Sequence, residues 1–166
     1  IFKIFLFLFL LTFSSFLFAN TIKGKVKVVD GDTLHIGTNK IRLHGIDAPE
    51  INQNCLYNNK EWPCGKKSRL ALIGLINNEI VICESNGKDK YRRFIGICFA
   101  NQINLNKMMV KQGWAIAYKY YSLDFVNEEN NAKSKLELYD WPGNVAQIIN
   151  YAEKTIILNK NLNDQD

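Results

Sequence analysis

The sequence predicts an α+β fold, a small closed β-barrel of five strands with about three helices packed on it. Three observations carry this. Short period-two segments, IKGKVKV (22–28), TLHI (33–36) and IRLHGI (41–46), are separated by the turn signals DGD and GTNK. Two further apolar runs, VIC (81–83) and FIGIC (94–98), flank a polar turn. Three stretches with helical spacing complete the order: three strands, helix, two strands, helix, helix. A length of 166 residues suits one domain with a real core rather than two.

The first nineteen residues, IFKIFLFLFLLTFSSFLFA, are almost unbroken apolar residues with Lys3 near the start and small or polar residues near the end. That is the pattern of a secretory signal peptide, with cleavage expected after Ala19 in preference to a retained anchor. In IKGKVKV, lysine alternates with apolar or small residues, as in a strand with one wet face. TLHI sets Leu34 and Ile36 on one face, and IRLHGI sets Ile41 and Leu43 opposite Arg42 and His44. Residues 51–65 read as a polar loop, after which KKSRLALIGLI predicts a helix directing Leu70, Ile73 and Leu75 or Ile76 to the core. INLNKMMVKQG spaces Leu105, Met108, Met109 and Gln112 helically and stops at Gly113, both methionines reading as core. NEENNAKSKLELY is a third helix, halted at Trp141 and Pro142, and NKNLNDQD reads as a disordered tail. The expected division is signal peptide 1–19, an oligonucleotide-binding (OB-fold) domain 20–145 and a C-terminal extension 146–166.

Cys55, Cys64, Cys83 and Cys98 all lie beyond the signal segment, and in an oxidising compartment an even count suggests two disulfides. Three pairings are open. Cys83 and Cys98 each end a strand-like run, so a cross-strand bond there leaves Cys55 with Cys64. The alternative, a four-cysteine zinc site, lacks any CxxC spacing. The whole-chain charge is +5, and without residues 1–19, which hold one lysine and no acid, it is +4; a modestly basic exported domain suits a polyanionic partner.

Charge concentrates in VVDGDTLHIGTNKIRLHGIDAPE (28–50). Asp32 and Asp47 converge if their strands are neighbours, and paired carboxylates completed by carbonyls and waters are what Ca²⁺ requires. Arg42 lies five residues before Asp47, where its guanidinium can hold a phosphate in two-pronged fashion. Glu50 follows Pro49 and is placed to orient or deprotonate a water. GKDKYRR (87–93) puts four cations and a tyrosine in one turn, either a solvated hairpin tip or a phosphate clamp. Tyr118, Tyr120 and Tyr121 around Lys119 form an aromatic and cationic mixture able to stack on bases. His35 and His44 lack a Ser or Cys nucleophile motif and read as structural.

Taken together and in order, VVDGDT, IRLHGIDAPE, DKYRR, LNKMMVKQGWAIAY and AKSKLELYDW resemble the staphylococcal nuclease-like (thermonuclease) family from about Lys23 to Trp141. The cysteine placement is similar to that of exported bacterial members, which supports the pairing Cys55–Cys64 and Cys83–Cys98. The resemblance implies Ca²⁺-dependent hydrolysis of DNA and RNA to 3′-phosphorylated products by a periplasmic or extracellular monomer with no stable protein partner. It makes Asp32 and Asp47 the side-chain calcium ligands, with the main-chain carbonyl of Ala48 as a third. Arg42 and Arg93 become the phosphate-binding arginines and Glu50 the residue acting on water. Tyr91 and Tyr118 fall near the nucleotide and Lys90 near its phosphate. Two departures stand out: Ala48 replaces a common Thr, and the turn reads Tyr91-Arg92-Arg93 where Tyr-Gly-Arg is usual. Arg92 therefore either adopts a glycine-like backbone or the turn changes, and Arg92 rivals Arg93 for the second catalytic position. The rival class is a non-catalytic OB-fold module that binds single-stranded nucleic acid or protein.

Overall fold

The computed structural model describes residues 20–57 and 60–137. The expected signal segment, the halt at Trp141 and the extension 146–166 lie outside these residues. In chain order the elements are β1 (Asn20–Gly24), β2 (Val26–Val28), β3 (Thr33–Ile36), β4 (Asn39–Leu43), β5 (Ile46–Asp47), β6 (Cys55–Tyr57), β7 (Lys60–Trp62), α1 (Cys64–Ile76), β8 (Val81–Lys88), β9 (Phe94–Ala100), β10 (Ile103–Asn104), α2 (Leu105–Lys111), β11 (Ile116–Ala117) and α3 (Val126–Glu137).

The main sheet runs β1-β8-β9-β4-β3-β2. Since β1 and β2 are one strand interrupted only at Lys25, that strand stands at both edges and the sheet curls round on it. Counting it once gives the five expected strands. All neighbours are antiparallel except β4 and β9, which run parallel with Ile41 opposite Phe94 and Arg42 opposite Ile95. Period-two alternation sends Val28, Leu34, Ile36, Ile41 and Leu43 inward, against Leu72 and Ile76 of α1 and Leu105, Met109 and Val110 of α2. The curled mixed sheet with three helices is the α+β OB-fold.

Two expectations need correction. On α1, Ile76 is buried as expected, but Leu70 and Ile73 are 55% and 39% exposed, and the rest of the buried face is Cys64, Gly65, Ser68 and Leu72. Apolarity favoured the wrong stripe: a disulfide at the first residue and close contacts at Gly65 and Ser68 set the helix rotation. Residues 51–65 are more than a loop, since β6 and β7 pair as a hairpin.

Both disulfides form, Cys83–Cys98 between directly opposed residues of β8 and β9 and Cys55–Cys64 from the hairpin to the start of α1. Among the described residues no cysteine is free, which removes the zinc alternative. One buried polar residue joins the layers. Asn106 of α2 donates through Nδ2 to the carbonyls of His44 and Gly96 and accepts from the Cys98 N–H through Oδ1. All of its bonds go to main-chain groups where β4 ends beside β9, the Gly96 carbonyl being shared with the His44 N–H.

Candidate active site

The site begins in the turn between β2 and β3. Asp30 Oδ1 accepts the Asp32 N–H at 3.0 Å, the local side-chain-to-backbone bond that makes Asp a turn residue. This sends the Asp32 carboxylate inward, where it is fully engaged. Oδ1 accepts the Thr33 hydroxyl at 2.9 Å and meets Arg42 Nη1, while Oδ2 accepts the Ala48 N–H at 2.9 Å. Arg42, on β4, reaches across to Asp47 of β5, its Nη2 lying 2.6 Å from Oδ1 and 3.3 Å from the Ile46 carbonyl oxygen. β5 is held in turn by β11, with Ile116 opposite Asp47. Thus Asp32, Arg42, Asp47 and the Ala48 backbone, separate in sequence, form one cluster.

Electrostatics in this cluster are dominated by burial. Desolvation pushes the Asp47 carboxyl up to about 6, with Asp32 and Glu50 adding to the push against the pull of Arg42. Burial and then Asp32 push Asp30 up to about 6 as well. Desolvation pulls Arg42 down, but Asp32 and Asp47 outweigh it and hold the guanidinium protonated. Several acids therefore crowd one arginine, and a further hard cation would relieve them. Carboxylate and carbonyl oxygens, with no thiolate or imidazole, match Ca²⁺, and the guanidinium already bridging both carboxylates marks where positive charge is favoured. The residues fit the ion. No group of three or more acidic, histidine or cysteine side chains gathers among the described residues, so main-chain oxygen and water must complete such a shell.

Glu50 is exposed, just beyond this cluster, close enough to act on Asp30 and Asp47 through charge. Its N–H bonds Gln53 Oε1, and its carbonyl accepts the Gln53 N–H. Two glycines that sequence reasoning passed over allow this packing. A Cβ on Gly65 would lie 1.7 Å from the Glu50 carbonyl oxygen, and one on Gly31 would lie 2.0 Å from Ser68 Oγ and 2.7 Å from the Ala48 Cβ. α1 meets the Glu50 loop through main chain at Gly65 and the Gly31 turn through the Ser68 side chain, and only neighbours in the fold reveal it.

Arg93 precedes β9. Its Nε donates to Asp89 Oδ2 at 2.7 Å and its N–H to Asp89 Oδ1 at 2.9 Å, closing a turn in which Arg92 has φ 65°. The usual glycine conformation is therefore kept by a non-glycine residue. Arg93 lies two residues before Ile95, the partner of Arg42, the spacing that returns a strand to the same face. Arg92 is exposed. Tyr91 is exposed too, with Lys90 Nζ 5.2 Å and the Arg93 guanidinium 5.4 Å from its ring centre. Tyr118 is nearer the acids: burial, then Asp47, push its phenol up. Its N–H bonds the Gly45 carbonyl, and Tyr120 and Tyr121 pack on it.

In summary of placement, Asp32, Arg42, Asp47 and Ala48 meet directly. Glu50 and Tyr118 border them, and Lys90, Tyr91 and Arg93 occupy the neighbouring turn.

The chain is similar to several known proteins, some of them named as nucleases. The family model "Staphylococcal nuclease homologue" matches residues 40–138. An uncharacterized endonuclease of Haemophilus influenzae is 38% identical over 117 residues, covering 66% of this chain and 61% of that protein. The succinoglycan biosynthesis protein ExoI of Rhizobium meliloti is 37% identical over 101 residues, covering 59% of this chain and 53% of that protein. The micrococcal nuclease of Shigella flexneri is 31% identical over 109 residues, covering 58% of each. The chain thus spans between about half and three fifths of the length of these relatives.

Proposed function

The chain belongs to the staphylococcal nuclease homologue family, and on that premise we propose that it is an exported, calcium-dependent nuclease hydrolysing phosphodiester bonds of DNA and RNA to 3′-phosphorylated products. The observation that carries this reading is the convergence of Asp32, Arg42 and Asp47 from three elements into one cluster bordered by Glu50. Two disulfides on a barrel this small favour an oxidising compartment, consistent with a signal segment at 1–19.

Asp32, Asp47 and the Ala48 carbonyl would hold Ca²⁺, which when bound polarises the phosphate and lowers the pKa of an attached water. Glu50, solvent-facing beside the acids, takes or orients the proton of the attacking water. As the new P–O bond forms and the bond to the 5′ oxygen breaks, charge grows on the equatorial phosphate oxygens. Arg42 and Arg93 oppose that charge more strongly in the transition state than in the ground state. Asp89 holds the Arg93 side chain and main chain for this task. Tyr118, neutral and half-buried, offers a surface for sugar or base.

The test is incubation with plasmid DNA and with RNA in Ca²⁺ or in EDTA. Degradation in Ca²⁺ alone is expected. Absence of degradation with every divalent metal would favour the non-catalytic binding module.

A further inference from the structure

The outer face of β2, β3 and β4 carries a row that the proposed reaction does not use. Lys27 is registered with His35, and His35 with Lys40, while the alternate residues Val28, Leu34, Ile36 and Ile41 are buried. Lys27 and Lys40 are exposed and His35 is half-buried between them. Opposed side chains in an antiparallel pair stand about 5 Å apart at Cβ, so the three are contiguous. Among the described residues no carboxylate forms an ion pair with either lysine.

This row is aimed at the site. Lys40 lies two residues from Arg42 on β4, so both leave the same face roughly 7 Å apart. The intervening Ile41 is registered with Phe94, the residue after Arg93. From beside the two arginines, whose own charges are paired with Asp32, Asp47 and Asp89, the lysine row passes across β4 and β3 to β2, ending near Lys25, whose ammonium bonds the Asn78 carbonyl and side-chain oxygens. A membrane-seeking face needs apolar or aromatic side chains beside its cations. The large exposed apolar residues of the described chain lie elsewhere, at Leu56, Leu70, Ile73, Ile80, Tyr91, Ile103, Tyr120, Tyr121 and Leu123.

We propose that Lys27, His35 and Lys40 form a track for the phosphates of a polynucleotide strand beyond the bond being cut, an inference that rests on the nuclease reading. The partner is a string of singly charged phosphodiesters, held by charge and without base readout. The track lengthens the bound segment and leaves the chemistry untouched.

The experiment is binding of a fluorescent oligothymidylate of about 20 nucleotides by the full chain in EDTA, across a salt series, for wild type, Lys27→Ala/Lys40→Ala and Lys27→Arg/Lys40→Arg. Each phosphate neutralised contributes about 0.7 to the single-strand salt slope, so the alanine variant should lose about 1.4. Between about 50 and 200 mM salt its affinity should then fall about sevenfold less than that of wild type. The arginine variant should keep the wild-type slope, and all three should cleave a dinucleotide equally in Ca²⁺. An unchanged slope in the alanine variant overturns the track, as does an equal loss of dinucleotide cleavage. So does an unchanged slope accompanied by lysine-dependent retention on phosphatidylglycerol vesicles. A wild type that cuts nothing yet shows the slope difference refutes the nuclease reading and leaves the track standing.

Discussion

Gly65→Ala is expected to damage the proposed nuclease activity although helix propensity points the other way. Gly65 is the second residue of α1, where alanine would ordinarily stabilise the helix by up to about 1 kcal/mol. Its Cβ would stand 1.7 Å from the Glu50 carbonyl oxygen and 2.7 Å from the Glu50 carbonyl carbon, both inside the 3.0 Å that real Cβ contacts essentially respect. Relieving the first contact alone needs a separation of roughly 1.3 Å between α1 and the Glu50 loop, and both sides are main chain, held by the Gly65 N–H to the Gln53 carbonyl and by the Cys55–Cys64 bond. An overpacking cost of about 1–3 kcal/mol outweighs the propensity gain, so thermal stability should fall. Misplacing a catalytic group by about 1 Å costs on the order of 100-fold in rate, so kcat should drop by that factor with substrate affinity nearly kept. The assay is kcat and KM on a short oligonucleotide for Gly65→Ala, Glu50→Gln and the double variant. If the glycine acts through Glu50, the double variant should be no slower than Glu50→Gln alone. Wild-type kcat in Gly65→Ala, or losses that multiply in the double variant, would refute the reasoning.

The two arginines of the turn should separate cleanly. Arg93→Ala should cost on the order of 100-fold or more in kcat, whereas Arg92→Gly should leave kcat unchanged and raise stability by about 1 kcal/mol, since a side chain at φ 65° carries left-handed strain. Steady-state rates and melting curves on both variants check this. Asn106→Ala should lower stability by about 2 kcal/mol or more, because the His44 carbonyl and the Cys98 N–H lose a buried partner together while the Gly96 carbonyl keeps the His44 N–H; urea midpoints measure it. Reduction of both disulfides by dithiothreitol should remove about 3 kcal/mol for the Cys83–Cys98 loop, whose cysteines are 15 residues apart, and somewhat less for the Cys55–Cys64 loop, whose cysteines are 9 apart, seen as a lower melting temperature with Ca²⁺-dependent cutting retained below it.

Much of the barrel was legible in the chain. Leu34, Ile36, Ile41 and Leu43 announce their inward face by period-two alternation, since side chains leave a strand on alternate sides whatever the sheet around it. The disulfide pairing was legible for a similar reason, because Cys83 and Cys98 end runs that oppose each other across one turn. The α1 face was so only in part. Ile76 is legible, but the choice of Leu72 over Leu70 and Ile73 depends on where Gly65 and Ser68 meet the Glu50 and Gly31 loops. The turn role of Asp30 was legible in DGD, since Asp side chains commonly bond the main chain two residues on, as Asp30 does with the Asp32 N–H.

By itself, then, the sequence determined the strand faces, the cysteine pairing most open to a hairpin, and which residue types were available to meet a metal and a phosphate. These follow from local chemistry and spacing. Only the tertiary structure decided that Arg42 bridges Asp32 and Asp47, that Arg92 takes the left-handed conformation and leaves Arg93 on the face of Arg42, and that Lys27, His35 and Lys40 stand in one row. The first is a contact, the second a single backbone dihedral and the third a strand register, and residue types alone do not fix them because they depend on how the turns close and how the strands pair.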